Sequence, residues 1–333
     1  MRKKAQLYLH IGHAKAGSTT LQRFLFKNWN YLEAKGFALP TAEFEVSSQT
    51  SPPGNPIVAL QEIYAAKDVS RLKRWISDAS KTKSQLILSS ECLTDWFWPQ
   101  LFKDLTEFVD INLIYYVRRQ DEYMLSAWRQ WGLKKGVPLD SFIDQQLLEA
   151  RPDYWSIIAP WRNRVAIKTL HTRFIGKDFL VGGGIQQDLA AYLGLDIEQM
   201  AMVENQNKSM DARLLLFMSK RPEMFTSIHD DTIFDLLQDK HPDETPKRLT
   251  LTEQQFQQAH ETYEEKNQDF LKKFHPEAAG RPVLDEITAS IGSMEDFSSD
   301  ETQIEYAKTR VRTLLDTSDH RIEALRAELF SSQ

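Results

Sequence analysis

The chain has 333 residues, 41% of them hydrophobic and 26% charged, with a formal net charge of −6. That is apolar material for one large α/β domain or two modest ones, and it argues against extended disorder. The negative balance argues against a protein that coats nucleic acid, because backbone binding relies on accumulated Lys and Arg; any anion has to be held locally.

Cys92 is the single cysteine, which removes intramolecular disulfides and cysteine-rich metal sites and fits a reducing compartment. The start, MRKKAQLYLHIG, is basic but too short in apolar residues for a signal-peptide core or a membrane span. A cytoplasmic protein with no transmembrane segment is the expectation.

Residues 5–12, AQLYLHIG, form a mostly apolar run stopped by glycine, the pattern of a parallel strand buried on both faces. From Ser18 onward, Leu21, Leu25, Trp29 and Leu32 recur at three- and four-residue spacing, with Ser and Thr as starting caps and Gly36 after Lys35 as the stop. Strand, tight turn and helix succeed one another. Residues 40–56, PTAEFEVSSQTSPPGNP, carry no period and several prolines. An exposed loop is expected there, either a substrate lid or an inert excursion.

Three more apolar runs read as strands: QLILSS (85–90), INLIYYV (111–117) and RVAIKTL (164–170), separated by helical patterns long enough for crossovers. The class is therefore α/β with a largely parallel sheet. Ligands of such sheets sit at the carboxyl ends of strands. Gly12–Thr20, Glu91 and Arg118 come directly after three of the runs, and they are expected to converge. Residues 182–196 read as a glycine turn feeding an amphipathic helix. From about 290, SIGSMEDFSSDE reads as a linker before a charged helical tail in which Val311, Leu315, Ile322, Leu325 and Leu329 form one stripe. The stripe serves packing on its own domain or self-association into a homo-oligomer. The expected division is residues 1–288 as one α/β domain and 289–333 as linker and tail.

In LHIGHAKAGSTTLQ, residues 9–22, Gly12 and Gly17 have the G-x-x-x-x-G spacing of a nucleoside-triphosphate loop, yet Ser18 stands where such a loop has lysine, and Lys15 lies inside the turn. At a strand-to-helix junction, free N–H groups and the positive end of the helix dipole make an anion site. Lys15, Ala16, Gly17, Ser18, Thr19 and Thr20 are its candidate donors; a tight turn with a surface lysine is the alternative.

GHAKAGSTTLQ resembles the 5′-phosphosulfate loop of the sulfotransferase family, whose pattern is Lys-x-Gly-Thr/Ser-Thr and whose donor is 3′-phosphoadenosine 5′-phosphosulfate, PAPS. YYVRRQDEYMLSAWRQ, with Arg118 eight residues before Ser126, resembles the family's 3′-phosphate motif. The resemblance implies a three-layer P-loop-type fold with a central, mostly parallel sheet flanked by helices. It also implies PAPS as donor without a metal, Lys15 and the loop amides on the 5′-phosphosulfate, and Arg118 with Ser126 on the 3′-phosphate. Arginine offers a monoester a fixed fork of donors. Arg119 is the rival for Arg118, and a mid-helix filler is the other reading of Ser126.

Transfer to an alcohol needs a proton acceptor. Many cytosolic members of the family use a histidine after the corresponding strand, whereas carbohydrate-modifying members use a glutamate. No histidine lies between His13 and His171, and Glu91 directly follows QLILSS. Glu91 is therefore the expected base and His10 the second candidate; a dipole-complementing carboxylate and a core histidine are the alternatives for the two. Thr20 stands where cytosolic members have a tryptophan on adenine, and the RKG…GDWK and Lys-x-His-Leu-Pro segments of those members are missing. These departures favour a saccharide or glycoconjugate acceptor, with Trp96, Trp98, Trp155 and Trp161 as residues that either stack on sugar rings or fill the core. A degenerate P-loop kinase using ATP and Mg²⁺ and a non-catalytic nucleotide-binding module are the alternative functions.

Overall fold

Strand β1 (Ala5–Ile11) reads AQLYLHI, and its alternate residues Leu7, Leu9 and Ile11 are fully buried. A strand of this kind has to be covered on both faces. In the computed structural model, which describes residues 4–204, 210–240, 246–284, 291 and 293–315, helices lie over both faces of its sheet.

In chain order the elements after β1 are α1 (Ser18–Lys27), α2 (Trp29–Ala34), β2 (Phe37–Ala38), α3 (Ile57–Ala66), α4 (Ser70–Ala79), β3 (Gln85–Ser90) and α5 (Trp98–Phe102). Next come β4 (Val109–Val117), α6 (Gln120–Ala127), α7 (Leu139–Leu148), α8 (Tyr154–Arg164), β5 (Ile167–Phe174) and α9 (Ile185–Tyr192). The last helices are α10 (Ala212–Ser219), α11 (Thr232–Lys240), α12 (Glu253–Phe274), α13 (Met294–Ser298) and α14 (Glu301–Leu315). The chain divides into two compact units, one of Met1–Arg119, Asp153–Gln206 and Asn267–Val283, the other of Gln120–Pro152, Asn207–Lys266 and Leu284–Gln333.

The first unit holds a five-stranded, all-parallel sheet in the order β2-β3-β1-β4-β5. Leu9, Leu88, Leu113 and Tyr115 join one core with Leu60, Trp75, Phe102 and Trp161 from α3, α4, α5 and α8. Ile87, Ile114 and Tyr116 belong to a second core, with Phe24 and Leu25 of α1 and Leu189 of α9. Successive strand residues point to opposite faces, so the unit is a three-layer α/β fold. Each fully buried aliphatic side chain contributes about 1.5–3 kcal/mol.

The expected strands at 5–12, 85–90 and 111–117 appear as β1, β3 and β4. The fourth begins later than expected, at Ile167, because α8 continues to Arg164. Strand β2 pairs only Phe37 and Ala38 with β3, too few residues to show a period. The helix expected over 18–35 breaks at Asn28 (φ −101°, ψ 17°). The Asn28 amide donates to the Phe24 carbonyl at 2.9 Å and exchanges hydrogen bonds with the Ala201 backbone at 2.9 and 2.7 Å. This local competition interrupts the helical ladder.

The segment 40–56 is not a freely exposed loop. Phe44 is 3% exposed against Trp75, the Trp29 indole donates to Ser47 Oγ at 3.1 Å, and Pro40 bridges Val46. Exposure is confined to shorter stretches such as Ser48–Thr50.

The second unit packs α6, α7, α10, α11, α13 and α14 with the Glu253–Lys266 part of α12, around Met124, Trp128, Ile143, Leu216, Phe234 and Tyr263. Phe297, Ala307 and Val311 join this core, so residues 293–311 of the expected linker and tail are built into it. The Leu315 side chain and Ile322, Leu325 and Leu329 lie outside the described residues. Among the described residues, no helix is long and apolar enough to cross a membrane.

Helix α9 is fixed to the sheet by a buried polar cluster. Asp188, 0% exposed, accepts from the Tyr116 hydroxyl at 2.7 Å and from the Val181 N–H at 3.0 Å, and its Oδ1 lies 2.5 Å from His171 Nε2. Burial alone would raise the Asp188 carboxyl; the hydrogen bonds from His171, Val181 and Tyr116 hold it below its ordinary value. Tyr116→Phe should cost about 1–2 kcal/mol, and Asp188→Ala, which strands all of these partners, at least about 3 kcal/mol. Urea midpoints check this, and equal losses would contradict it.

Candidate functional site

β1 is flanked by β3 and β4, so the chain segments leaving these three strands meet at one edge of the sheet. Ile11 pairs with Ser90, and the Gly12 N–H donates to the Ser90 carbonyl at 3.0 Å, carrying the ladder one residue past the strand. A Cβ on Gly12 would lie 2.3 Å from Ser18 Oγ and 3.3 Å from Glu91 Cα. Only glycine lets the loop, the start of α1 and the end of β3 approach so closely.

The backbone then alternates in handedness: Lys15 has φ 61° and Gly17 φ 76°, with Ala16 between them outside the left-handed region. Such alternation turns successive N–H groups toward one concavity suited to an anion. A left-handed lysine costs about 1–3 kcal/mol, strain that concentrates at functional loops. Gly17 is the N-cap of α1 and supplies no side-chain cap, so the first-turn amides of Ser18, Thr19 and Thr20 carry the positive end of the dipole. A Cβ on Gly17 would sit 3.0 Å from Ile185 Cδ1, at the start of α9.

Arg118 comes just after β4, and its Nη1 reaches to 3.5 Å from the Lys15 carbonyl. Tyr154 holds this strand end: its hydroxyl donates to the Arg118 carbonyl, and its ring stands edge-on to His13 at 5.2 Å. His13, 6% exposed, donates from Nδ1 to the Ala14 carbonyl at 2.9 Å. Burial pushes its imidazole down to about 4 although that hydrogen bond opposes the shift, so the ring inside this cationic loop is neutral. His13 is no candidate on sequence grounds; the available signal is its place immediately after Gly12.

The two candidate bases occupy different environments. Glu91 opens a 3₁₀ turn, Glu91–Thr94, and is exposed. His10 is 2% exposed, with Nδ1 2.7 Å from Ser89 Oγ and its ring edge-on to Tyr116. Burial takes His10 down to about 4, and among the described residues its Nε2 has no hydrogen-bond partner. The structure thus brings Lys15, Ala16, Gly17, Ser18, Thr19, Thr20, Glu91 and Arg118 to one edge of the first unit, with His10 enclosed beneath. Ser126 lies half-buried on α6, in the second unit.

Of the tryptophans, Trp98 and Trp161 are core residues, Trp155 packs on Phe270 and Phe274, and Trp96 is 67% exposed. Among the described residues, no three His, Cys, Asp or Glu side chains cluster as metal ligands. No family model and no curated protein sequence matches the chain.

His10 and His13 take protons in the unfolded chain near the ordinary value of 6.5 but in the folded protein only near 4. The unfolded state binds more protons in this window, so stability falls as pH drops from 6.5 toward 4. Thermal melts should show a declining Tm across that range, with a shallower slope for His10→Asn, which retains a donor toward Ser89. An unchanged slope would contradict the buried, neutral assignment.

Proposed function

We propose that the protein is a sulfotransferase that moves a sulfuryl group from PAPS to a hydroxyl of a saccharide or glycoconjugate. The observation that carries the reading is the meeting of a lysine-bearing, glycine-shaped loop with Glu91 and Arg118 at the ends of three adjacent strands. The loop and α1 amides, Lys15 and Arg118 suit a nucleotide with two anionic ends.

The donor supplies a sulfuryl group on a phosphate leaving group. The amides and Lys15 hold the 5′ end and offset charge on the departing phosphate as the S–O bond breaks, and Arg118 serves the 3′-phosphate. Glu91 takes the acceptor's hydroxyl proton while the acceptor oxygen bonds to sulfur. A sulfuryl group carries less charge than a phosphoryl group, so one lysine in the turn replaces the lysine and Mg²⁺ of an ATP loop. Glu91 suits the base role better than His10 because it is exposed at a strand end. The product nucleotide is 3′-phosphoadenosine 5′-phosphate.

Glu91→Gln should leave nucleotide binding intact and lower turnover at least about 100-fold, measured with sulfur-labelled PAPS and acceptor extracts. Retained turnover would remove Glu91 as the base.

A further inference from the structure

The segment that leaves Glu91 carries a group of rings and charges at the surface. The Asp95 N–H donates to the Cys92 carbonyl at 3.3 Å, continuing the turn that begins at Glu91, and Asp95 Oδ1 accepts from the Tyr64 hydroxyl. Lys67, just past α3, has a left-handed backbone at φ 56°, and its ammonium lies 3.6 Å from the Tyr64 ring centroid and 4.0 Å from that of Phe97. Cations over ring faces are attracted by the ring quadrupole. Trp96 meets Phe97 edge to face at 5.3 Å and 80°. Trp96 itself is 67% exposed. Contiguous exposed apolar surface marks binding sites more often than singly scattered side chains do, and Trp96 adjoins the half-buried Phe97 ring.

We propose that Trp96, with Asp95 and Lys67, is an acceptor platform that takes a saccharide ring. The weakly positive C–H face of a pyranose lies on the negative face of the indole. The Asp95 carboxylate accepts from ring hydroxyls and the Lys67 ammonium donates to them. A phenol or steroid acceptor calls instead for an enclosed apolar slot, whereas Trp96, Asp95 and Lys67 are all exposed and supply one charge of each sign. The assignment of the platform to an acceptor rests on the reading of Glu91 as base.

The test is a titration of the full chain, labelled at the indole nitrogens, with cellotetraose, maltotetraose, chitotetraose and a uronate-containing tetrasaccharide. Trp96→Phe assigns the indole resonance. At least one tetrasaccharide should shift the Trp96 signal, with Kd rising about tenfold in Trp96→Ala, clearly less in Trp96→Phe, and also in Asp95→Asn. If no tetrasaccharide shifts it, if Trp96→Ala binds like wild type, or if 2-naphthol alone occupies the site, the platform is rejected. Binding of 3′-phosphoadenosine 5′-phosphate, measured on the same proteins, should not change in Trp96→Ala. Wild type that binds sugar at Trp96 and not this nucleotide would reject the donor reading and leave the platform standing.

Discussion

The position of β1 between β3 and β4 is the constraint on which the candidate site depends. Because β1 is hydrogen-bonded on both sides, its exit, the exit of β3 and the exit of β4 must lie side by side, and the residues just past each strand are brought together without further design. The ladder enforces this at atomic scale: the Gly12 N–H still pairs with Ser90, so Glu91 cannot sit elsewhere. Gly12 has no side chain to hold the strands' ends apart, and Gly17 takes the left-handed turn that points α1 back over the sheet.

The supporting groups around this edge are neutral, which sharpens the charges that remain. His13 and His10 are buried and uncharged, while Lys15, Arg118 and Glu91 supply the charge at the surface of the edge. Tyr154 links two parts of it, the His13 ring of the loop and the carbonyl of Arg118. On the opposite face from Tyr154, Asp188 ties β4, β5 and α9 together through Tyr116 and His171, and α9 in turn packs Ile185 against the turn at Gly17.

Much of this arrangement is legible in the amino-acid order, for physical reasons that also mark where legibility stops. Buried parallel strands must be continuous apolar runs, so β1, β3 and β4 stand out, and Lys15, Glu91 and Arg118 are found simply by their places just beyond the strand ends. Strand β2 is two residues long and carries no period. The break at Asn28 depends on a partner at Ala201, and the anchoring of residues 40–56 on Phe44 meeting Trp75. Neither contact leaves a local trace. The same holds for His13, whose neighbours Tyr115 and Tyr154 are distant in the chain, and for residues 293–311, where polar composition reads as linker and tail although Phe297, Ala307 and Val311 are core.

If three strand ends with one lysine, one arginine and no metal are enough to hold the donor, nucleotide binding must track the 3′-phosphate and ignore Mg²⁺. Calorimetry with 3′-phosphoadenosine 5′-phosphate in EDTA against ATP with Mg²⁺ tests this most directly. The account predicts clear binding of the first and far weaker binding of the second. Tight, Mg²⁺-dependent binding of ATP with none of the bisphosphate would contradict it.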